Sequence, residues 1–235
     1  MKTLKNLLVL GFLFSFLPGT GLLNATVAHE TFTRPVPEET IHVLYPLSLI
    51  REVSGYAEVL FEVDKQGNPH DFVVLKASHT MFGQTVIDRV RKIHFQPARQ
   101  NGKPVVSQIV HKNHFVIEAA GDLVQMGDQP KPYRVDENSV PLLVHDPRKL
   151  DDPIQVLTQV PPKYPEDWPT ETQAGGVLIE FYIDSSGSVK APKVVSSTDE
   201  ALNPATLESI RQWIFKPPIR NGRPVTAFAR QQFEY

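Results

Sequence analysis

Phe95-Gln96-Pro97-Ala98-Arg99-Gln100-Asn101-Gly102-Lys103-Pro104-Val105 returns 120 positions later as Phe215-Lys216-Pro217-Pro218-Ile219-Arg220-Asn221-Gly222-Arg223-Pro224-Val225. The offset holds without a gap as one reads backwards. Arg91 falls on Arg211, Val74 on Val194, Gly67 on Gly187, Asp64 on Asp184, Phe61 on Phe181 and Gly55 on Gly175. Between Gly55 and Val105, 12 of 51 aligned positions are identical, and many others keep their apolar or polar character. One small module is written twice, so function is argued from that module.

The elements of the module read the same way in both copies. Ala57, Val59, Phe61 and Val63 alternate on one face of a strand, and Val177, Ile179, Phe181 and Ile183 repeat that register. Period-two alternation of β-branched and aromatic residues predicts a half-buried strand. Asp64 to Gly67 and Asp184 to Gly187 predict tight turns into second strands near Phe72–Leu75 and Lys193–Val195. Phe82, Val86, Val90 and Ile93, and Leu202, Leu207, Ile210 and Trp213, lie three or four apart and predict amphipathic helices. Asn203 is read as the N-cap and Pro204 as the first helical residue. The helices stop before Pro97 and Pro217. Asn101-Gly102 and Asn221-Gly222 then turn into third strands over about Val105–Ile117 and Val225–Tyr235. Earlier short helices are expected after Tyr45-Pro46 and Tyr164-Pro165.

The fold class is therefore α+β: two tandem small α-β-β-α-β modules, each an antiparallel three-stranded sheet with helices on one face. Outward apolar residues such as Leu60, Leu178 and Tyr182 leave two readings open, an outer face that is not wholly solvated or ordinary surface scatter. The division along the chain is a signal peptide over 1–28, a flexible arm over 29–40, a first module over 41–118, a linker over 119–153 and a second module over 154–235. The linker carries Gly121, Gly127, Pro130, Pro132, Pro141 and Pro147 among many charges. It reads as an extended connection, so the two modules are expected to fold independently.

The signal peptide rests on a positive start (Lys2, Lys5), an apolar run from Leu7 to Leu17, a break at Pro18-Gly19 and small residues for cleavage after Ala28. The competing reading is a retained anchor, for which Leu7 to Leu23 is at the lower edge of the ~17–25 residues needed to span a bilayer. The chain has no cysteine, so it has neither disulfides nor a thiolate site. A net charge of −2 gives no electrostatic reason to expect nucleic acid. The basic residues Arg89, Arg91 and Lys92, and Arg211, Lys216, Arg220 and Arg223, sit late in helices or just beyond. They are read as complements to the helix dipole.

No nucleophile elbow, phosphate loop or zinc-protease motif occurs. His111 and His114 fall three apart in a predicted strand and so point to opposite faces, which argues against a shared ion. His94 is read as a partly buried structural histidine. No metal, cofactor, catalytic residue or small-molecule substrate is assigned. Residues shared by the copies are those a fold needs, which suits a binding module.

The ordered set resembles the C-terminal domain of the TonB energy-transducer family. It comprises Tyr45-Pro46 and Tyr164-Pro165, then Gly55 and Gly175, the Asp-x-x-Gly turn, the helix, and Phe-x-Pro followed by Asn-Gly-[Lys/Arg]-Pro-Val. The resemblance implies a periplasmic domain that pairs its last strand with an extended segment of a protein partner, outer-membrane transporters among them. Two features depart from the family's transducers: a cleavable leader, and no long proline-rich spacer before the first module. Leu23 to Tyr45 reaches only about 80 Å fully stretched. The first reading is thus a non-enzymatic periplasmic adaptor that binds envelope proteins or peptides by β-strand addition. The alternative is a membrane-anchored energy transducer for outer-membrane transport. If the last strand lies at the sheet edge, as the resemblance implies, no residue beyond Tyr235 covers it. The alternate outward residues Phe228, Arg230, Gln232 and Glu234 would then supply selectivity; the competing reading is that the linker or the first module folds back and covers that edge.

Overall fold

Asp64 and Asp184 each close a hairpin by bonding their own turn. Asp64 Oδ1 accepts from the Gln66 and Asn68 N–H groups at 2.9 and 2.8 Å, and Asp184 Oδ1 from Ser186 and Ser188 at 2.9 and 3.0 Å. Gly67 and Gly187 take φ of +92° and +90°, and a Cβ there would meet the Phe95 or Phe215 carbonyl oxygen at about 2 Å. The closeness has a use. Each turn carbonyl accepts the N–H of that same phenylalanine at 2.9 Å, which ties the hairpin to the segment after the helix.

These turns sit in a computed structural model that describes residues 31–46, 49, 54–116, 135–163 and 175–235. The expected leader lies outside them. So, apart from Leu49, do the stretches after Tyr45-Pro46 and Tyr164-Pro165 where short helices are expected. Among the described residues no helix is long and apolar enough to cross a membrane.

The first sheet is built from β1 (Gly55–Val63), β2 (Pro69–Ala77) and, after helix α1 (Thr80–Val90), β3 (Ser107–Phe115), in the antiparallel order β2-β1-β3. The second holds β4 (Val144–His145), β5 (Gly176–Ile183), β6 (Val189–Ser197) and, after helix α2 (Asn203–Arg211), β7 (Thr226–Glu234). Its order is β6-β5-β7-β4. Asn101 and Asn221, both at φ +51°, and the glycines after them turn a small hairpin that precedes each long third strand. The long third strands accordingly start two residues and one residue later than the sequence suggests, at Ser107 and Thr226.

Each core lies between one sheet face and its helix. In the first, Phe82 and Phe115 stack 4.4 Å apart and Phe61 packs on Phe95. Gly55 is required there, since a Cβ would lie 2.0 Å from the Phe82 ring. In the second, Phe181 meets Phe215, and Trp213 packs on Phe233 while donating Nε1–H to the Val160 carbonyl at 2.9 Å.

Several expectations need correction. The helix α2 is not capped by Asn203. Asp199 caps the 3₁₀ turn that leads into it by accepting from Ala201 N–H, and Asn203 Oδ1 finds no partner. His94 is exposed, as is its counterpart Ile214, because both point away from the core phenylalanine beside them.

The arm read as flexible is tied down within the described residues. Phe32 and Thr33 pair with Gln100 and Arg99, and Val36 and Pro37 pair with Gln96 and Phe95. The second copy has comparable ties. Val156 pairs with Phe215, one residue out of the register of Val36 with Gln96, and the Asp151 carboxylate holds the Asn221 and Gly222 N–H groups where the Thr31 carbonyl holds the Asn101 N–H. These ties lie ahead of the module starts read from pattern, by ten residues at Thr31 and three at Asp151.

β1 is not half-buried. Tyr56, Leu60 and Glu62 on its outer face are as buried as Phe61 on its inner face. Leu60 and Val73 of the first sheet pack with Ala191 of the second, flanked by Leu75, Val144 and Tyr182. The outer faces of the two sheets meet there, and residues 31–235 form one compact unit.

Truncating Phe181 to Ala removes an aromatic ring that is 2% exposed, and a loss of ~3–5 kcal/mol is expected in urea unfolding. A loss within ~0.5 kcal/mol would mean the ring is not in the core.

Candidate functional site

Two features outside the cores carry chemistry: the backbone of the outermost strands and an ion cluster at the seam between the sheets. Strand β7 pairs with β5 in one unbroken register from Gly176↔Glu234 to Ile183↔Ala227. Gly175 and Tyr235 exchange both backbone bonds, at 2.8 and 3.3 Å. Antiparallel pairs alternate between bonded and non-bonded. Phe233, Gln231, Ala229 and Ala227 therefore spend their N–H and C=O groups on β5. Glu234, Gln232, Arg230 and Phe228 aim theirs the other way.

On that other side β4 pairs with Thr226 and Ala227 only, in parallel. Ala227 spends its own groups on β5, so this pairing is made by its neighbours and takes the Phe228 N–H; from the Phe228 C=O to Glu234 no strand covers the edge among the described residues. The four residues singled out from sequence alternation are thus those whose backbone groups face outward. Their side chains share the sheet's outer face. Phe228 is half-buried against Tyr182, Arg230 lies over the Phe228 ring and pairs with Glu180, and Gln232 and Glu234 are exposed.

The corresponding edge of the first sheet is β3, which pairs with β1 alone over nine residues. Gln108, Val110, Lys112 and His114 stand there at the offset positions. Glu137 of the linker drapes this face. It accepts from Lys112 Nζ at 2.9 Å, bonds His114 Nε2 at 3.2 Å and accepts from the Tyr56 hydroxyl at 3.1 Å. Those bonds, led by Lys112, hold its carboxyl down at about 2. His111 makes no such contact, and burial lowers its pKa.

The seam cluster was not legible as such. Glu62 is 1% exposed in the middle of β1. Its two oxygens take Arg211 Nη2 at 2.6 Å and Gln108 Nε2 at 3.2 Å. Arg211 Nη1 bonds Asp71 Oδ2, also at 2.6 Å, and Lys190 lies 3.9 Å from the same carboxylate. Arg211, read from sequence as a helix-dipole complement, is instead the cation that joins α2 to the other module. Glu62, His70 and Asp71 lie close enough together to hold a metal ion. The Arg211 guanidinium already occupies the charge position between both carboxylates, so the arrangement fits an ion-pair cluster.

Asp71 and His70 shift in opposite directions. Burial pushes the Asp71 carboxyl up, but the His70 hydrogen bond and the Arg211, His70 and Lys190 charges outweigh it, and its pKa falls below the ordinary 3.8. The Asp71 hydrogen bond raises His70 above 6.5, against burial.

Comparison with known proteins follows the same division. The family model described as "Gram-negative bacterial TonB protein C-terminal" matches residues 42–117 and again 160–235. A protein named "Protein TonB" from Vibrio cholerae serotype O1 is 36% identical over 102 residues, spanning 43% of this chain and 39% of that protein. The chain therefore matches well under half of that relative's length. A solution structure of the Pseudomonas aeruginosa TonB C-terminal domain is 25% identical, covers 35% of this chain and 84% of that one, and superposes with a TM-score of 0.31. The chain belongs to the TonB C-terminal family. Its fold, mostly strands with two short helices among the described residues, is TonB C-terminal-like.

Replacing Arg211 by Ala leaves Glu62 buried with only the His70 ring, 4.0 Å away, as a possible cation. A loss of about 2–4 kcal/mol is expected, below the full range for a buried pair because a third of the arginine side chain is exposed. Urea titration measures it.

The cluster also sets a pH window. The His70 contribution is complete below 6.5 and fades as pH rises through its raised folded value. The Asp71 contribution is complete above 3.8 and fades as pH falls through its lowered one. Melting temperature should accordingly decline as pH rises above 6.5, and His70→Gln should flatten that decline.

Proposed function

We propose that this chain is a non-enzymatic envelope protein that grips extended segments of other proteins by β-strand addition. The observation that carries the reading is the row of outward backbone groups on Arg230, Gln232 and Glu234, which begins at the Phe228 C=O. Unpaired N–H and C=O groups at a sheet edge are a template for another chain. Backbone pairing supplies affinity, and the alternating side chains on the same residues supply selectivity. The β3 edge of the first module offers the same backbone row with different side chains, Gln108, Val110, Lys112 and His114. One protein can thereby hold two different segments.

Family membership supports partners in the envelope, outer-membrane transporter segments among them, and a periplasmic location. The non-enzymatic reading is supported by the sequence's lack of a nucleophile motif and by the commitment of Glu62 and Asp71 to Arg211. The other reading, a membrane-anchored TonB-type energy transducer, needs residues 1–28 retained as an anchor. N-terminal sequencing of purified protein separates the two, and cleavage after Ala28 is the expected result.

Proline tests the edge directly, because it deletes one N–H. Arg230→Pro and Gln232→Pro remove outward donors that β5 does not use, so the fold should persist. Capture of cross-linked envelope proteins should drop at least about tenfold, the equivalent of one or two hydrogen bonds. Gln231→Pro breaks the β5 ladder instead and should destabilise the module. Capture by Arg230→Pro and Gln232→Pro at the unmodified level would refute strand addition at β7.

A further inference from the structure

The linker does more than connect. Leu142 bridges Lys76 in the antiparallel sense, and Leu143 donates its N–H to the Leu75 carbonyl at 2.8 Å, so the chain lies against the outer edge of β2. The next two residues, Val144 and His145, pair with Thr226 and Ala227 at the outer edge of β7. One four-residue segment therefore links the edge strands of both sheets. Asp146 then ends it. Its carboxylate accepts the Arg148 N–H at 2.9 Å, and Pro147 lacks the donor that further pairing would need.

The segment leaves space beside it. Leu142 is 62% exposed. A surface groove of about 300 Å³ stays open there, lined by Leu75, Leu142, Val144, Tyr182 and Phe228, with the carboxylates of Glu58 and Asp146 also in its lining. The groove is mainly apolar, and it adjoins Phe228, the first residue of the open β7 edge.

We propose that the seam between β2 and β7 is a second strand-accepting slot. The linker segment Leu142–His145 is its resting internal occupant, and a partner's extended segment with alternating large apolar side chains takes its place. The proposal extends the strand-addition reading. A guest paired to Phe228–Glu234 runs along the same edge as Val144 and His145, so pairing that lengthens past Phe228 must displace them. The groove then receives the guest's apolar side chain, and release of Leu143 from Leu75 loosens the tie between the modules. The slot itself does not depend on the outer edge being used.

The test uses the chain's own sequence as probe. A fluorescent peptide spanning Ser139–Asp146 is titrated into the full-length protein, into Leu143→Pro, and into a variant whose residues 142–145 are replaced by Gly-Ser-Gly-Ser. Amide exchange in β5 verifies that each is folded. The peptide should bind both variants at least tenfold tighter than the unmodified chain, and Arg230→Pro added to either variant should leave that binding unchanged. Equal binding to all three proteins, or none to any, overturns the slot. Loss of the fold in both variants overturns it too, since a replaceable occupant is dispensable to the core. Failure here with capture still sensitive to Arg230→Pro would remove the slot and leave the outer edge standing.

Discussion

Glu62 is a carboxylate in the middle of a central strand with almost no access to water, and the joining of the two modules follows from satisfying it. Its nearest cation comes from the other copy of the repeat, as Arg211 on α2. Docking the second module takes this charge out of water, which would cost several kcal/mol without a partner, and Arg211 supplies the partner that offsets that cost. Leu60, Val73 and Ala191 add apolar burial around the pair, and Gln108 bonds both Glu62 and the Ala191 carbonyl. The repeat thus behaves as one body, although each half has its own core.

Comparison of the two copies position by position shows how a repeat comes to bind itself. Residues identical in both are the turn Asp and Gly, the core Phe and the Asn-Gly pair, and they build the fold. The seam is made where the copies differ. Glu62 stands opposite Tyr182 in the alignment, Asp71 opposite Ala191, and Gln108 opposite Phe228. Asp71 and Ala191 even share a left-handed backbone, at φ 53° and 46°, where each second strand bulges. The local geometry is the same, but only one copy carries a carboxylate there. Arg91 and Arg211 are identical, yet Arg91 lies over the Phe72 ring of its own module while Arg211 reaches across to the other.

That difference explains what was legible. Alternation in Ala57–Val63 and Val177–Ile183, and the helical spacing of Phe82 to Ile93, located both cores because periodicity reports burial directly. The same alternation picked out Phe228, Arg230, Gln232 and Glu234, since backbone direction and side-chain face share a period of two. The seam was hidden because Glu62, Asp71 and Gln108 do not recur, and a charged residue in an alternating strand reads as solvent-facing. The early ties at Val36 and Val156 were hidden for another reason. They involve two or three residues each, too few for any period to show. The linker's pairing at Val144 was masked by the prolines and charges around it.

The β7 edge is open beyond the Phe228 N–H, and residue-resolved amide exchange in the free protein tests this most directly. The expected result is alternation beyond β4: fast exchange at Arg230, Gln232 and Glu234, and slow exchange at Phe228, which β4 covers, and at Ala229, Gln231 and Phe233. Uniformly slow exchange along the whole of Phe228–Glu234 would mean that another chain segment already occupies the edge, and would contradict it.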